Sequence, residues 1–333
     1  MNVYQDHAIE IQDRSSIGEA RRISTRLAAR CGLKSGEQGR VPLVVTELAT
    51  NLVSHARRGE MLVRVLEEGG IEVLAIDRGP GIADLARCLA DGYSQGGTRG
   101  CGLGAVRRQS TEFDIYSAQP TGTAVLSRIL LNPRDRSNPE SAAICVAAPG
   151  ETECGDAWAV RYREDRLAAV VIDGLGHGPL AAAAAEEALA VFSGDWFTTP
   201  ADFLAAAHNA LRTTRGAAVA IAHINFALRQ LHYAGVGNIA SRIVSPGTAK
   251  QQAPISHAGI VGGEVRKLQQ FDYKWQENDL LVMHSDGLSE RWKLSDYPGL
   301  ATSDVAVIGG ILYRDAKRGG DDATVLVIRL RRS

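Results

Sequence analysis

The sequence predicts an α/β protein with two domains, from its length, a linker-like segment and two separate sets of motifs. Its 333 residues exceed the size at which a single hydrophobic core usually keeps growing. Residues 132–141 carry two prolines, alternating charges and no apolar periodicity, which is typical of a short exposed connector. We therefore expect one domain at residues 1–131, a linker at 132–141 and a second domain at 142–333.

The first domain is predicted to place helices on one face of a mixed sheet. Apolar residues at helical spacing indicate helices over residues 16–31, around Glu47 and after Gly104. Runs of β-branched and aromatic residues indicate the strands. These strands lie near residues 61–67, 71–76, 112–117 and 123–130.

Three motifs in a fixed order indicate a nucleotide site in the first domain. Glu47 and Asn51 stand four residues apart, so both project from one face of a helix. The strand at 71–76 ends in the segment Asp77-Arg-Gly-Pro-Gly, and a glycine-rich stretch at 96–104 opens the next helix. Glycines let backbone N–H groups approach phosphate oxygens, and a helix N-terminus adds a favourable dipole.

This trio resembles the GHKL family, whose ATP-binding (Bergerat) fold is shared by gyrase, Hsp90, histidine kinases and anti-sigma-factor kinases. Glu47-Leu-Ala-Thr-Asn51, and Glu112-Phe-Asp-Ile-Tyr-Ser117 followed by Gly122-Thr123, are closest in wording to the small serine kinases of the stress-response switch. Those kinases phosphorylate STAS-domain antagonists. The resemblance implies an N-terminal α/β sandwich that binds ATP with Mg²⁺.

The resemblance also implies roles for individual residues. Glu47 would be the general base for a serine hydroxyl or for water, and Asn51 would hold Mg²⁺. Asp77 would recognise the adenine amino group. The remaining contacts to ATP would come from Gly79, Gly81, Gly100, Gly102, Gly104 and Thr123. Transfer of phosphate is compatible with these residues, and binding of ATP without transfer stays open.

The second domain is predicted to consist of packed sheets with helices outside. Helices are expected over residues 179–193 and 200–213. Strands are expected near residues 142–148, 156–163, 166–172, 217–225, 230–237, 241–245, 279–284 and 323–329.

Four short acidic motifs accompany these strands. They are Gly155-Asp156, Asp173-Gly174, Ser285-Asp286-Gly287 and Asp321-Asp322. One Asp-Gly pair is ordinarily a turn. Several carboxylates held at strand ends and converging from distant points instead predict a site for a hard cation such as Mg²⁺ or Mn²⁺.

The order of these motifs resembles the PP2C-type serine/threonine phosphatases, in the small bacterial branch of sporulation and sigma-factor regulators (the SpoIIE and RsbX type). The resemblance runs from about residue 142 to the end and includes the segment 233–238. It implies a PP2C-like α-β-β-α sandwich with two ions, Mn²⁺ or Mg²⁺. Asp173 would bridge both ions, the Gly174 carbonyl would serve the first, and Asp286 and Asp321 would complete the second. Asp156 would hold metal-bound waters.

Two positions depart from the phosphatase pattern. Asp322 stands where many eukaryotic relatives carry Asn, so its extra charge is expected to tighten or rearrange metal binding. His177 lies farther from the Asp-Gly pair than the histidine that some relatives use as a general acid. His177 is therefore either an acid for the leaving group or a structural cap on the next helix.

Composition narrows the range of partners. Lys and Arg total 37 against 38 Asp and Glu, so the net charge of −1 does not favour nucleic acid. No apolar run approaches the roughly 18 residues that span a bilayer, and the polar N-terminus is unlike a signal peptide. The five scattered cysteines fit reduced thiols. We expect a cytoplasmic protein without membrane or nucleic-acid partners, and a homodimer is left open.

Two function classes follow from these motifs. The first is a protein serine/threonine phosphatase fused to a serine-kinase-like ATP-binding domain, with a phosphorylated STAS-domain anti-sigma antagonist as the expected partner. A stressosome-like or sigma-factor regulator is a further expected partner. The second is an ATP-sensing anti-sigma or partner-binding module whose kinase-like domain only binds nucleotide. The complete set of acidic ligands favours the enzyme.

Overall fold

The computed structural model describes residues 5–56, 58–89, 102–132, 139–194, 199–247 and 251–330. The chain forms two compact units. The N-terminal unit comprises Asp6–Asp135 together with Tyr297–Arg314, and the C-terminal unit comprises Gln5, Arg136–Asp296 and Asp315–Ser333. The inclusion of residues 297–314 in the N-terminal unit goes beyond the predicted boundaries, which stay a prediction.

One five-stranded sheet forms the centre of the N-terminal unit. Its strands are β1 (His7–Ile11), β2 (Gly59–Val65), β3 (Gly70–Asp77), β4 (Glu112–Ala118) and β5 (Gly122–Leu130), in the order β1-β2-β3-β5-β4. Its helices are α1 (Arg14–Ala28), α2 (Ser35–Gln38), α3 (Arg40–Asn51), α4 (Leu85–Leu89) and α5 (Leu103–Gln109). A π-helical turn over Leu52–Ala56 follows α3.

All strand pairings described in this unit are antiparallel, so the expectation of a mixed sheet is wrong. The reason lies in the connections, because short turns join β2 to β3 and β4 to β5, and a short turn can join only antiparallel neighbours. Helix α1 begins at a reciprocal cap in which the Asp13 carboxylate accepts the Ser16 N–H. Leu27 of α1 and Leu48 of α3 pack on the core face of the sheet.

The last helix of the chain, α8 (Val305–Ala316), lies mostly within the N-terminal unit. Its backbone packs closely on β3, since a Cβ added at Gly310 would lie 2.7 Å from Leu74 Cδ2. The Tyr313 hydroxyl donates a hydrogen bond of 3.0 Å to Glu60 of β2. The sheet therefore carries α8 as well as α1 and α3.

Two five-stranded antiparallel sheets form the C-terminal unit. The strands are β6 (Glu140–Val146), β7 (Asp156–Arg163), β8 (Arg166–Gly174), β9 (Ala217–Asn225), β10 (Gln230–Val236), β11 (Ala240–Val244), β12 (Gln251–Gln252), β13 (Phe271–Lys274), β14 (Leu280–His284) and β15 (Ala323–Arg329). The sheet orders are β13-β10-β9-β8-β7 and β12-β11-β14-β15-β6. Helices α6 (Pro179–Phe192) and α7 (Pro200–Ala210) follow β8.

Strand β8 shows how these layers are held, because successive side chains of a strand point to opposite faces. Val170 and Ile172 pack in the apolar cluster that contains α6 and α7. Ala169 and Val171 pack in the cluster shared with Met283 of the second sheet. One unit of two packed sheets with helices and one α/β unit confirm the predicted two-domain α/β class.

The structure also contains elements that the sequence did not predict. These are strands β1, β12 and β13 and helices α2, α4 and α8, and α7 ends at Ala210 before a short 3₁₀ turn. Among the described residues, no helix is long and apolar enough to cross a membrane. The four described cysteines are free thiols, and Cys101 lies outside the described residues.

Candidate metal centre and nucleotide site

Two of the predicted carboxylates lie side by side at neighbouring strand ends. Asp156 begins β7 and stands directly opposite Asp173 of β8 in the strand register. Asp156 is 1% exposed, and Ser285 Oγ donates a hydrogen bond of 2.6 Å to its Oδ2. Burial, and then the charge of Asp173, raise the pKa of Asp156 well above its usual range. The first sheet thus contributes two closely spaced acids.

The second sheet brings Asp286 and Asp321 to the same place. The Ser285 N–H donates to the Thr324 carbonyl, and Ser285 Oγ accepts from the Thr324 N–H, both at 3.0 Å. These bonds tie the end of β14 to the start of β15. A side chain at Gly287 would collide with the Asp322 carbonyl, so this turn requires glycine.

A cleft of about 460 Å³ gathers three of the acids. Asp173, Asp286 and Asp321 line it together with Asn238, whose Nδ2 donates to Asp286 Oδ2 at 2.6 Å. Burial, and then the charges of Asp286 and Asp321, raise the pKa of Asp173 to about 7. Burial also raises the pKa of Asp286. The concentrated negative charge therefore makes a bound cation favourable.

The donors in this cleft fit Mg²⁺ or Mn²⁺, which prefer oxygen ligands. Among the described residues, no group of three or more His, Cys, Asp or Glu side chains is arranged so that it could hold a metal ion by itself. Carbonyl oxygens and waters would have to complete the coordination, as Mg²⁺ ordinarily allows. Position 174 requires glycine, because a Cβ there would collide with the Ala181 carbonyl, and the Gly174 carbonyl as a metal ligand stays a prediction.

Asp322 does not line the cleft. Its two carboxylate oxygens accept backbone N–H groups of Ala148, at 2.7 Å, and Gly155, at 2.9 Å. Asp322 therefore anchors the backbone that leads into Asp156. Its charge contributes to the raised pKa of Asp173, so the expected effect on the metal site is electrostatic and structural.

His177 lies in the exposed turn between β8 and α6. Its Nδ1 is 2.7 Å from Glu151 Oε1, and since a carboxylate only accepts, Nδ1 carries the hydrogen. The N-cap of α6 is Gly178, which makes no side-chain cap. The structure does not show His177 as the cap of α6, and its role as an acid stays a prediction.

Three supporting residues were not predicted. Ser285 orients Asp156, Asn238 orients Asp286, and Glu151 holds His177. Ser285 and Asn238 stand inside motifs that the sequence already singles out. Their hydrogen-bond partners are 129 and 48 residues away along the chain, so sequence spacing gives no sign of these pairs.

The N-terminal unit places the predicted adenine contacts around the end of β3. Asp77 Oδ1 accepts the Gly79 N–H at 2.7 Å, and the Thr123 N–H also bonds to this carboxylate. Burial raises the pKa of Asp77. Gly81 has a φ of +72°, and a Cβ there would lie 2.7 Å from the Ala118 carbonyl, which explains the glycine.

Glu47 and Asn51 both lie on α3 and are half-buried. Burial raises the pKa of Glu47, which makes its carboxylate a stronger base. The α-helix changes to a π-helical turn directly after Asn51. Such turns are frequent at functional sites, and hydrophobic periodicity does not predict them.

Only some of the glycines predicted to bind phosphate lie within the described residues. Gly102 is the N-cap of α5, and its carbonyl accepts the Ala105 N–H at 2.9 Å. Gly104 is buried in the first turn of α5. Gly100 lies outside the described residues, so its predicted contact with phosphate stays a prediction.

Two family models match the chain. The model described as Stage II sporulation protein E (SpoIIE) matches residues 163–331. The model described as a histidine kinase-like ATPase domain matches residues 12–129. Asp173, Asp286 and Asp321 fall inside the first match, and Glu47 and Asn51 fall inside the second.

Known proteins resemble each part separately. The serine/threonine-protein kinase RsbT of Bacillus subtilis is 32% identical over 120 residues, which are 35% of this chain and 90% of RsbT. The phosphoserine phosphatase RsbX of the same organism is 27% identical over 143 residues, which are 42% of this chain and 70% of RsbX. A crystal structure of RsbX with magnesium superposes with a TM-score of 0.54 at 23% identity, covering 59% of this chain and 98% of that one.

Proposed function

Because the chain belongs to the SpoIIE family and joins it to an RsbT-like kinase ATPase domain, we propose that one polypeptide both adds and removes phosphate on serine or threonine of a regulatory protein. Its C-terminal half is a PP2C-type serine/threonine phosphatase domain. The observation that carries the proposal is the convergence of Asp173, Asp286 and Asp321 on one cleft.

In the phosphatase reaction we assign distinct tasks to the acids. Two divalent ions, when bound, would supply charge that clamps phosphoryl oxygens and lowers the pKa of an attacking water. Asp173 would be shared by both ions, and Asp286 and Asp321 would serve the second. The Gly174 carbonyl would serve the first, and buried Asp156 would orient waters.

Neighbouring residues prepare these ligands. Ser285 and Asn238 each hold one carboxylate oxygen, which fixes the direction of the free oxygens. His177, with Nδ1–H held by Glu151, would present Nε2 to the leaving oxygen. No cysteine is needed as a nucleophile in this reaction.

In the kinase reaction the residues of α3 and the end of β3 would act together. Glu47 would accept the proton of the target hydroxyl, and Asn51 would hold the Mg²⁺ that accompanies ATP. Asp77 would accept a hydrogen bond from the adenine amino group. Gly79, Gly81 and Thr123 would shape the pocket. The α5 terminus at Gly102 and Gly104, with Gly100, would bind phosphates.

The proposed substrate is a STAS-domain antagonist in a partner-switching pathway, within a stressosome-like or sigma-factor regulator. A chain that joins relatives of RsbT and RsbX supports this assignment, since one relative is a kinase and the other a phosphatase. Joining opposing activities raises the effective concentration of each near a shared substrate. The cytoplasmic location and a homodimer stay predictions.

The test incubates the purified full chain with ATP, Mg²⁺ or Mn²⁺ and a STAS-domain antagonist, and follows phosphoserine by mass spectrometry. Wild-type protein should give transient phosphorylation. Glu47→Ala should remove phosphorylation and keep dephosphorylation of prephosphorylated antagonist. Asp286→Asn should leave the antagonist phosphorylated.

Each failure of this test has a separate meaning. Antagonist that is never phosphorylated by Asp286→Asn, although ATP binds, would reduce the N-terminal unit to a nucleotide sensor. Prephosphorylated antagonist that stays phosphorylated in Mn²⁺ would reject the phosphatase assignment.

A further inference from the structure

The segment Tyr297–Arg314 lies inside the span matched by the SpoIIE model, yet it packs as part of the N-terminal unit. The span matched by the ATPase model ends at residue 129 and does not include it. The sheet that carries the adenine contacts is therefore completed by a distant part of the sequence.

A buried ion-pair network fixes the beginning of this segment. Arg128 of β5 is 1% exposed, and its guanidinium donates to both carboxylate oxygens of Asp304, at 2.7 and 2.9 Å. The same guanidinium contacts Glu72 at 2.6 Å and Glu112 at 3.0 Å. Paired, fork-like contacts of this kind fix geometry as well as charge. Asp304 therefore sets where α8 begins on the sheet.

Arg314 fixes the other end of the segment directly at the adenine pocket. Its side chain donates a hydrogen bond of 2.6 Å to the Asp77 carbonyl, and Arg78 donates in return to the Arg314 carbonyl. Arg314 is 8% exposed.

The opening of β5 is shaped to accept this arginine. A Cβ at Gly122 would lie 2.8 Å from Arg314 Nη1 and would collide with the Asp77 carbonyl. Thr123, next in the chain, donates its N–H to the Asp77 carboxylate. Arg314 thus holds the backbone of the residue whose carboxylate is proposed to read adenine.

We propose that Arg314 is a positioning residue of the nucleotide site: by holding the Asp77 carbonyl and the Gly122 turn, it aims the Asp77 carboxylate at the adenine amino group. The proposal rests on the proposed function of Asp77. Recognition of the base then depends on a residue that lies in the phosphatase-family part of the chain.

The contacts of Arg314 also predict how its loss would change nucleotide binding. Its guanidinium donates to the Asp77 carbonyl, and its charge opposes the rise that burial causes in the pKa of the Asp77 carboxylate. Loss of Arg314 should therefore disturb recognition of the amino group more than binding of the phosphates. A residue that only stabilises the fold would weaken binding of every nucleotide to the same extent. Base discrimination therefore separates positioning from general stability.

The test compares ATP with its analogue that lacks the 6-amino group, by calorimetry on the full chain with Mg²⁺. We expect Arg314→Met to weaken ATP binding about tenfold and the analogue much less, since only ATP uses the Asp77 carboxylate. Arg314→Lys, which keeps a donor, should recover most of the preference. Tyr313→Phe is the matched control, because it removes one hydrogen bond between the same helix and the sheet but leaves Asp77 held.

The ratio of the dissociation constants for ATP and for its analogue is independent of the folded fraction. This ratio therefore tests the positioning role even if a variant is partly unfolded. An unchanged ratio in Arg314→Met, with the ratio lost in Asp77→Leu, which has no acceptor, would overturn the positioning role. A ratio unchanged in Asp77→Leu as well would instead reject Asp77 as the acceptor of the adenine amino group. A ratio lost equally in Tyr313→Phe would show that any loosening of α8 has this effect, which also contradicts a specific role for Arg314.

Discussion

The two candidate sites differ in how they use charge. The cleft of the C-terminal unit concentrates Asp173, Asp286 and Asp321, and burial, and then the charges of the other two acids, raise the pKa of Asp173 to about 7. The proposed nucleotide site centres on one half-buried carboxylate, Asp77, that accepts backbone N–H groups. The first arrangement needs cations before it can accept a phosphate dianion, whereas the second is ready to recognise a neutral base.

The sites also differ in how their residues are held. Side chains from loops orient the acids of the candidate metal centre, as Ser285 does for Asp156 and Asn238 does for Asp286. In the nucleotide site the backbone does most of this work, through the Gly79 and Gly81 turn and the Arg314 contact to the Asp77 carbonyl. We therefore expect the cleft to be sensitive to changes of charge and the nucleotide site to changes of backbone geometry.

The largest expected effect is that of Asp173→Asn on the phosphatase. Loss of the shared ligand should lower hydrolysis of an aryl phosphate in Mn²⁺ by at least about a hundredfold. Asp272→Asn is the matched control, because Asp272 belongs to the same sheet but is exposed and pairs with His232. Undiminished hydrolysis in Asp173→Asn, or in excess chelator, would reject the two-metal assignment and the contrast drawn between the sites.

Asn51→Ala should have the next largest effect, on the affinity for ATP with Mg²⁺. Removal of an oxygen ligand should weaken binding on the order of tenfold or more, measured by calorimetry. Thr50→Ala is the control, since Thr50 is exposed on the same helix and its hydroxyl only bonds to the Thr46 carbonyl. Equal affinities of Asn51→Ala and the wild type would remove Asn51 from the site.

Ser285→Ala should change the metal requirement of the phosphatase by a smaller amount. Without the Ser285 hydroxyl, Asp156 loses the group that orients it, and the apparent Mn²⁺ affinity should fall roughly tenfold. Ser289→Ala removes a hydroxyl nearby that only accepts the Arg291 N–H. Identical Mn²⁺ titrations for Ser285→Ala and Ser289→Ala would show that the cleft does not depend on this support.

Much of the C-terminal unit could be predicted from local sequence. The strands at 156–163, 217–225 and 323–329 have the predicted bounds. The last two are almost wholly buried runs bounded by turn residues or charges. Helix α8 was not predicted, because its sequence lacks a clear local signal. Its segment Val-Ala-Val-Ile-Gly-Gly-Ile-Leu is buried throughout, so it has no polar face to give helical periodicity, and β-branched residues and glycines lower its helix propensity.

In the candidate sites, too, some residues could be predicted from the sequence and others could not. Asp173, Asp286 and Asp321 were predicted as one site because the order of the acidic motifs resembles the PP2C-type phosphatases, and the structure brings all three to one cleft. Arg314 and Asn238 could not be predicted, because their partners are 237 and 48 residues away and depend on how the chain folds. Motifs in the sequence predicted the candidate binding residues, but they did not predict the residues that orient them.

The smallest predicted effect lies at the far end of the sheet that carries Asp173. Burial, and then the charge of His232, lower the pKa of His223 from 6.5 to about 4, so only the unfolded chain takes up a proton at mildly acidic pH. The contribution of His223 to stability is therefore lost as pH falls, by about 1 kcal/mol between about pH 7.5 and 5.5. The buried acids of the cleft act in the opposite direction, so the comparison is made between wild type and His223→Gln in chelator. Thermal unfolding should show a shallower loss of stability in His223→Gln, and identical pH slopes would mean that His223 titrates normally in the folded protein.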